Sequence, residues 1–176
     1  YLIVTPLIKQ GVLPLVISNC EYSEALLNGS SDITLYLDDP KPQSGCSSLP
    51  GGFSRLDGSG CSVTITANNM AAGQPGGALN QVESCLLPLP RSLPIYDAAA
   101  CQAAGCNGQG PYSILGFAVF KITGYSFNGN NYGGTLGKKC PEEDNRGKYC
   151  LRGDYIKFTT TQGTPGGSTN FGVTKV

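Results

Sequence analysis

Carboxylates are the residues through which this chain could catalyse a reaction. Asp38 and Asp39 follow a predicted strand, and a second group, Glu142–Asp144, stands among basic residues. Paired carboxylates can act as general acid and base, and their oxygens could also bind calcium. The first pair precedes Pro40, where acidic residues commonly form turns, and no EF-hand spacing is present. We interpret both groups as turn and solvated-loop residues, and we expect no enzyme, no metal and no cofactor.

The chain contains no histidine, which removes most other catalytic arrangements. A Ser-His-Asp triad and a Cys-His pair both need an imidazole as the base. An enzyme that works with paired carboxylates alone is the remaining catalytic alternative. Nucleic acid is not an expected partner, because the net charge is zero and only 14% of residues are charged.

Eight cysteines supply the other chemistry of this chain. They contain no Cys-x-x-Cys pair, so a zinc site is not expected, whereas an even count favours disulfides and an oxidising compartment. We predict that all eight are oxidised. Counting alone allows about 105 connectivities. The simplest set joins neighbours in the sequence: Cys140–Cys150, Cys46–Cys61, Cys101–Cys106 and Cys20–Cys85.

Two short motifs resemble known recognition signals. Arg152-Gly153-Asp154 spells the integrin-binding tripeptide, and Asn28-Gly29-Ser30 is an N-glycosylation sequence. The tripeptide stands at the start of a predicted strand rather than at a loop tip, so we interpret it as a strand entry. The second motif is interpreted as a turn unless the source glycosylates it.

The elements that would position these residues centre on two segments, 112–127 and 150–161, which are rich in aromatic and β-branched residues. They predict a long antiparallel hairpin whose loop is stapled by Cys140 and Cys150. The first segment is apolar on both faces, which is typical of an interior strand. One face holds Ile114, Ala118, Phe120 and Ile122, and the other holds Leu115, Phe117, Val119 and Tyr125. In the second segment Ile156 and Phe158 alternate with Lys157 and Thr159, which predicts that one face of this strand is exposed to solvent.

The whole chain predicts an all-β fold, a disulfide-stapled sandwich or barrel with at most one or two short helices. Many short strands are separated by Gly- and Pro-rich turns, and helical patterns occur only at 19–27 and 78–87. We expect a single β-rich domain over 1–162. The Gly/Thr/Ser-rich tail 163–176 is expected to be flexible or to be ordered by a partner.

The apolar beginning of the chain bears on localisation. Residues 1–19 are broken by Pro6, Lys9 and Pro14, so no membrane-spanning segment is predicted. Because the sequence starts with Tyr1, we expect a processed product whose export signal or anchor lies upstream. Together with the cysteines, this predicts an extracellular or cell-surface protein.

Several motifs in the chain occur in a recognisable order. They are Leu13–Ser18 leading to Cys20, then Pro50–Phe53 with Leu56-Asp57 and Cys61, and finally Tyr112–Ala118 continuing through Thr123–Tyr125 to Cys140 and Cys150–Gly153.

These motifs resemble the extracytoplasmic C-terminal region of the TadE/TadG-like Flp (Tad) pilus-assembly proteins of actinobacterial type. The resemblance covers most of residues 12–158 in patches, with Ser54-Arg55 where the family usually has Gly-Trp. It implies an extracytoplasmic, non-enzymatic component linked to pili, and it carries over no catalytic residue.

The leading functional prediction is an extracellular structural component, either pilus-associated or itself a filament subunit. Its expected partners are other copies of itself or pilus components. In this hypothesis Leu2, Ile3 and Val4 add a strand to a neighbour's sheet, although the same residues could equally pair within their own domain. The alternative is an adhesive module that recognises sugar or protein through loops carrying Tyr132, Tyr149 and Asn128–Asn131.

Overall fold

The computed structural model describes residues 13–29, 31–37, 52–57, 63–66, 68–74, 90–106, 109–127, 149–160 and 173–175. Within these residues the protein is mostly β, as the sequence predicts. The elements, in chain order, are β1 (Leu15–Ser18), α1 (Asn19–Asn28), β2 (Ile33–Tyr36), β3 (Phe53–Arg55), β4 (Val63–Ile65), β5 (Met70–Ala71), β6 (Arg91–Tyr96), α2 (Ala98–Ala104), β7 (Tyr112–Ser126), β8 (Cys150–Thr160) and β9 (Val173–Lys175).

The main sheet is built around the predicted hairpin. Strands β7 and β8 pair antiparallel from Ser126 opposite Cys150 to Gly116 opposite Thr160. The strand order is β2-β8-β7-β6-β1-β3, and β5 pairs with the beginning of β7. Strands β1 and β6 are parallel, and Ile17 of β1 lies opposite Ile95 of β6, 78 residues later. Strand β7 therefore lies inside the sheet, as its two apolar faces predict.

The sheet is strongly curled, and the end of one edge strand reaches the opposite edge at a single point. Leu37, one residue beyond β2, forms an isolated parallel bridge with Phe53 in β3, although these strands stand at opposite ends of the strand order. The result is a half-barrel with a concave and a convex face.

Each face of this half-barrel carries its own apolar core. The inner cluster takes residues from all six strands of the order above, so it fills the concave side, and the outer cluster covers the opposite face. The inner cluster consists of Leu13, Leu15, Ile17, Tyr22, Ala25, Leu35, Phe53, Leu93, Ile95, Ala118, Phe120, Ile122, Tyr125, Phe127, Leu151 and Tyr155. The outer cluster consists of Val16, Leu56, Val63, Ile65, Ala71, Tyr96, Ala98, Cys101, Cys106, Tyr112, Ile114 and Phe117.

Two bulges in β7 change which residues share a face. Leu115 has no partner in β6, and Thr123 has none in β8. Each extra residue reverses the alternation of side chains along the strand. Ile114 consequently joins Phe117 in the outer cluster, and Tyr125 joins the inner one, so the predicted assignment of Ile114 and Tyr125 was wrong.

A third irregularity corrects the alternation predicted for β8. Ile156 is the extra residue between the pairs Phe120–Tyr155 and Val119–Lys157. Its side chain is 56% exposed, whereas that of Tyr155 is 7% exposed. The inward-facing residue at this point is therefore Tyr155 and not Ile156.

Both helices lie directly after strands and have clear ends. Helix α1, predicted over 19–27, follows β1 without a loop and ends before Gly29, whose φ of 121° suits glycine. The side chain of Asp97 caps α2 by accepting a hydrogen bond from the Ala100 N–H, and Gly105 ends the helix in the left-handed conformation. The Asn19 side chain also accepts a hydrogen bond from the Ala98 N–H, which ties the two helices together. The predicted helix 78–87 lies outside the described residues.

Strand β9 falls within the tail 163–176. It pairs in parallel with β4 to form a separate two-stranded sheet. These three tail residues thus find a partner in their own chain. Residues 1–12 lie outside the described part, as do 161–172.

Candidate functional site

Most of the residues with predicted roles lie outside the described part of the chain. This holds for the proposed assembly strand, for both carboxylate groups and for most of the proposed adhesive loops. The residues concerned are Leu2, Ile3, Val4, Asp38, Asp39, Asn128–Asn131, Tyr132 and Glu142–Asp144. The roles predicted for them stay predictions.

Four of the eight cysteines are described, and each of them is oxidised. Cys101 and Cys106 form the predicted disulfide, with their Cα atoms 4.9 Å apart, and it locks the end of α2 against the outer cluster. Cys20 in α1 and Cys150 at the start of β8 are each disulfide-bonded as well. The pairings Cys20–Cys85, Cys140–Cys150 and Cys46–Cys61 each include a cysteine outside the described residues and are untested.

The Arg152-Gly153-Asp154 tripeptide lies inside β8, and both of its charged side chains contact Asp32. The Arg152 guanidinium binds Asp32 through two bonds, Nε to Oδ1 at 2.8 Å and Nη2 to Oδ2 at 2.9 Å. The backbone N–H of Asp32 donates to Oδ1 of Asp154 at 2.6 Å. These three bonds attach the segment before β2 to β8, and we call this group the Asp32 clasp.

Gly153 is required by the close approach of β7. A Cβ atom at this position would overlap the Lys121 carbonyl oxygen and would lie 2.6 Å from the Phe120 ring. The glycine of the tripeptide thus serves the packing of β8 on β7. The interpretation of this motif as part of a strand agrees with the structure.

The Asp32 clasp is partly exposed and joins one guanidinium to two carboxylate residues. The hydrogen bond between the Arg152 guanidinium and Asp32 is the main cause that raises the pKa of Arg152, and the negative charge of Asp32 raises it further. The side chains are 24% and 47% exposed, so solvent screens the pair, and exposed pairs contribute about 0–1 kcal/mol. Its chemistry is that of a structural tie between two strands.

A polar centre inside the inner cluster was not predicted from the sequence. The Tyr155 ring meets the Tyr22 ring edge-on at 4.9 Å and the Phe120 ring at 5.0 Å. Burial raises the pKa of Tyr155 well above its ordinary value, and the nearby Glu21 and Tyr22 raise it further. Burial also raises the pKa of Tyr22, so both phenols are neutral at physiological pH. The centre joins α1, β7 and β8 through contacts that hold the helix on the sheet.

A second unexpected buried group is Arg91 at the start of β6. It is 2% exposed and faces the same side of β6 as Leu93 and Ile95, and burial lowers its pKa. A lone arginine before a strand resembles an ordinary surface residue, so its sequence context gives no signal of this placement.

Of the predicted adhesive residues, Tyr149 is described. Its side chain is half-buried and packs against the inner cluster, and its carbonyl accepts a hydrogen bond from the Leu37 N–H at 3.2 Å. The large apolar side chains exposed in the described residues belong instead to Leu26 and Leu27 on α1 and to Ile156.

The described residues contain no group of three or more His, Cys, Asp or Glu side chains that could hold a metal ion. Neither helix in the described part is long and apolar enough to cross a membrane.

Comparison with known proteins gives no match for this chain, whether with family models, with curated proteins or with solved structures. The resemblance to the TadE/TadG-like proteins is therefore a hypothesis that rests on the sequence motifs alone.

Proposed function

We propose that this protein is a non-enzymatic structural component of an extracellular assembly, pilus-associated or itself the filament subunit, and that copies of it associate. The motif resemblance supports the connection to pili. The disulfides support an oxidising compartment, since such bonds persist outside the cytosol.

The observation that carries this proposal is the core on both faces of β7. Phe120 is fully buried on the inner face, and Phe117 is 6% exposed on the outer face. A sheet packed on both sides, with a disulfide at its helix, forms a rigid unit because close-packed interiors resist deformation. Rigidity of this kind suits a building block that repeats in an assembly.

The Asp32 clasp supports the same conclusion. Arg152 and Asp154, whose tripeptide looks like a recognition motif in the sequence, both bond to Asp32 just before β2. The residues that most resemble a ligand signal therefore stabilise the fold. Leu26, Leu27 and Ile156 add exposed apolar surface that could contribute to contacts between copies.

Negative-stain electron microscopy of the purified, oxidised chain tests this proposal. We expect regular polymers whose formation increases with protein concentration. A matched sample with its disulfides reduced should lose them, because the bonds hold the subunit together. Uniform single particles in the oxidised sample at high concentration would contradict self-association.

A further inference from the structure

The β4–β9 sheet stands apart from the main sheet and contains the last described strand. Val63 lies opposite Val173, Thr64 opposite Thr174 and Ile65 opposite Lys175, in parallel register. Among the described strands, β9 pairs with β4 alone. In the described part of the chain, a three-residue ladder thus joins β9 to β4.

Strand β4, by contrast, is held in place by contacts that do not involve β9. Val63 and Ile65 are each 1% exposed within the outer cluster. These two side chains hold β4 against the outer cluster of the main sheet.

The turn that follows β4 adds a second anchor. The Thr66 N–H donates to the Met70 carbonyl at 2.9 Å, and the Asn69 carbonyl accepts from the Ile114 N–H at 2.7 Å. Strand β5 then pairs with Tyr112 and Ser113 of β7. The edge of β4 is thus a preformed template for an added strand.

The connection between β8 and β9 is long enough to reach another molecule. Twelve residues, 161–172, separate Thr160 from Val173. Twelve residues span at most about 40 Å when extended. This reach exceeds the width of a small sheet, in which neighbouring strands lie about 4.8 Å apart.

We propose that the edge of β4 docks β9 of a second copy of this chain. A second copy presents the same backbone in the same register, so the pairing with β4 is equivalent to the one within a single chain. Exchange of an identical element is a common route to oligomers, and it gives an open chain when each copy donates to the next. This inference rests on the proposed self-assembly, and it identifies the surface that would carry it.

The first test uses a labelled peptide with the sequence of residues 170–176 and a variant of the chain that lacks those residues. The truncated variant should bind the peptide saturably, and the full chain should bind it at least tenfold more weakly because its β4 edge is occupied. A peptide of the same composition in scrambled order is the control. If the truncated variant retains the Cys101–Cys106 disulfide and its melting transition but does not bind the peptide, the proposal is wrong.

The second test uses the full chain carrying Val173→Pro and Thr174→Pro. Alternate N–H groups of a strand point to opposite sides, so one of the two prolines removes a donor that faces β4. We expect this variant to remain folded and to lose self-association, while Val173→Ala with Thr174→Ser assembles as the unmodified chain does. Normal assembly of the double-proline variant would refute docking through β9 while leaving the proposed function intact. Peptide binding to the truncated variant while the full chain stays monomeric would show that β4 pairs with β9 of its own chain, and it would refute both the docking of a second copy and the proposed self-association.

Discussion

Leu37 and Phe53 form the bridge at which the two edges of the main sheet meet. Two further backbone bonds extend the ladders on either side of this bridge: the Leu37 N–H donates to the Tyr149 carbonyl next to the β2–β8 pairs, and the Ser18 N–H donates to the Gly52 carbonyl next to the β1–β3 pairs, each at 3.2 Å. Where opposite edges of a sheet meet, they offer less unpaired backbone to other molecules. This arrangement leaves β4, outside the main sheet, as the described strand best placed to receive another chain.

Replacing Phe53 by Ala should destabilise the fold strongly. The side chain is fully buried, and its ring lies 6.4 Å from that of Phe127 in the inner cluster. Truncation of a buried phenylalanine costs about 3–5 kcal/mol, whereas Phe53→Leu should cost less than about 1.5 kcal/mol. Denaturant unfolding of both variants provides the measurement, and equal midpoints for the two would show that this side chain does not hold the edges together.

Gly153→Ala should be more harmful than Asp154→Ala, although both change the same tripeptide. The added methyl group overlaps the Lys121 carbonyl and the Phe120 ring, and such overpacking costs about 1–3 kcal/mol. Loss of the Asp154 carboxylate removes one exposed hydrogen bond, worth about 0.5–1.5 kcal/mol. Thermal melting of the two variants should rank them in this order. The reverse ranking would contradict the packing of β8 on β7.

Asp32→Asn should have a small effect that fades with salt. The substitution removes the charge that Arg152 binds while keeping one oxygen acceptor, and exposed ion pairs are worth about 0–1 kcal/mol. We expect the difference from the unmodified chain to shrink between low and high ionic strength. In a cell-adhesion assay the two proteins should behave alike. Adhesion by the unmodified chain that Arg152→Ala abolishes, with the fold intact, would assign the tripeptide a recognition role.

Stability should fall above pH 10, and Tyr155 should account for part of that fall. An unfolded tyrosine loses its proton near pH 10, whereas burial raises the pKa of folded Tyr155 well above that value. Above pH 10 the unfolded state therefore binds fewer protons than the folded state, and the free energy of unfolding decreases as pH rises.

Tyr155→Phe isolates this contribution. The Tyr155 hydroxyl has no hydrogen-bond partner among the described residues, so its removal should change stability little at pH 7. Between pH 9 and 11 this variant should lose stability more slowly than the unmodified chain, and Tyr22→Phe should have a smaller effect. An unchanged slope for Tyr155→Phe would show that the phenol is not buried in the folded protein.

Peptide mapping without reduction should complete the disulfide framework. Cys101 and Cys106 should appear in one linked fragment. Replacing both cysteines by alanine should lower the free energy of unfolding by about 2 kcal/mol, because the disulfide closes a short loop. We further expect Cys150 to be linked to Cys140 and Cys20 to Cys85, which would staple the hairpin loop and anchor α1. A bond from Cys150 to any other cysteine would exclude the predicted staple.

The parts of the fold that were predictable from the sequence are those set by local pattern. The hairpin of β7 and β8 follows from period-two alternation, and α1 follows from a helical pattern before Asn28-Gly29. The bulges at Leu115, Thr123 and Ile156 were not predictable, because one extra residue has no recognisable residue type. It nevertheless moves every later side chain of the strand to the other face of the sheet. The two-sided core was therefore foreseen, and the exact division of residues between its faces was not.

The candidate sites were less predictable because they depend on distant contacts. Asp32 and Arg152 are 120 residues apart, and Glu21, Tyr22 and Tyr155 meet only through the packing of α1 on the sheet. The parallel pairing of β4 with β9 likewise joins segments that share no local signal. Contacts between residues so far apart leave no periodic pattern in the sequence, so residue patterns alone could not reveal them.

Sedimentation velocity of the oxidised chain over a wide concentration range measures whether copies of the protein associate. We expect a mean mass that rises with concentration well above the 18.3 kDa of one chain. A single species of 18.3 kDa at every concentration would contradict self-association.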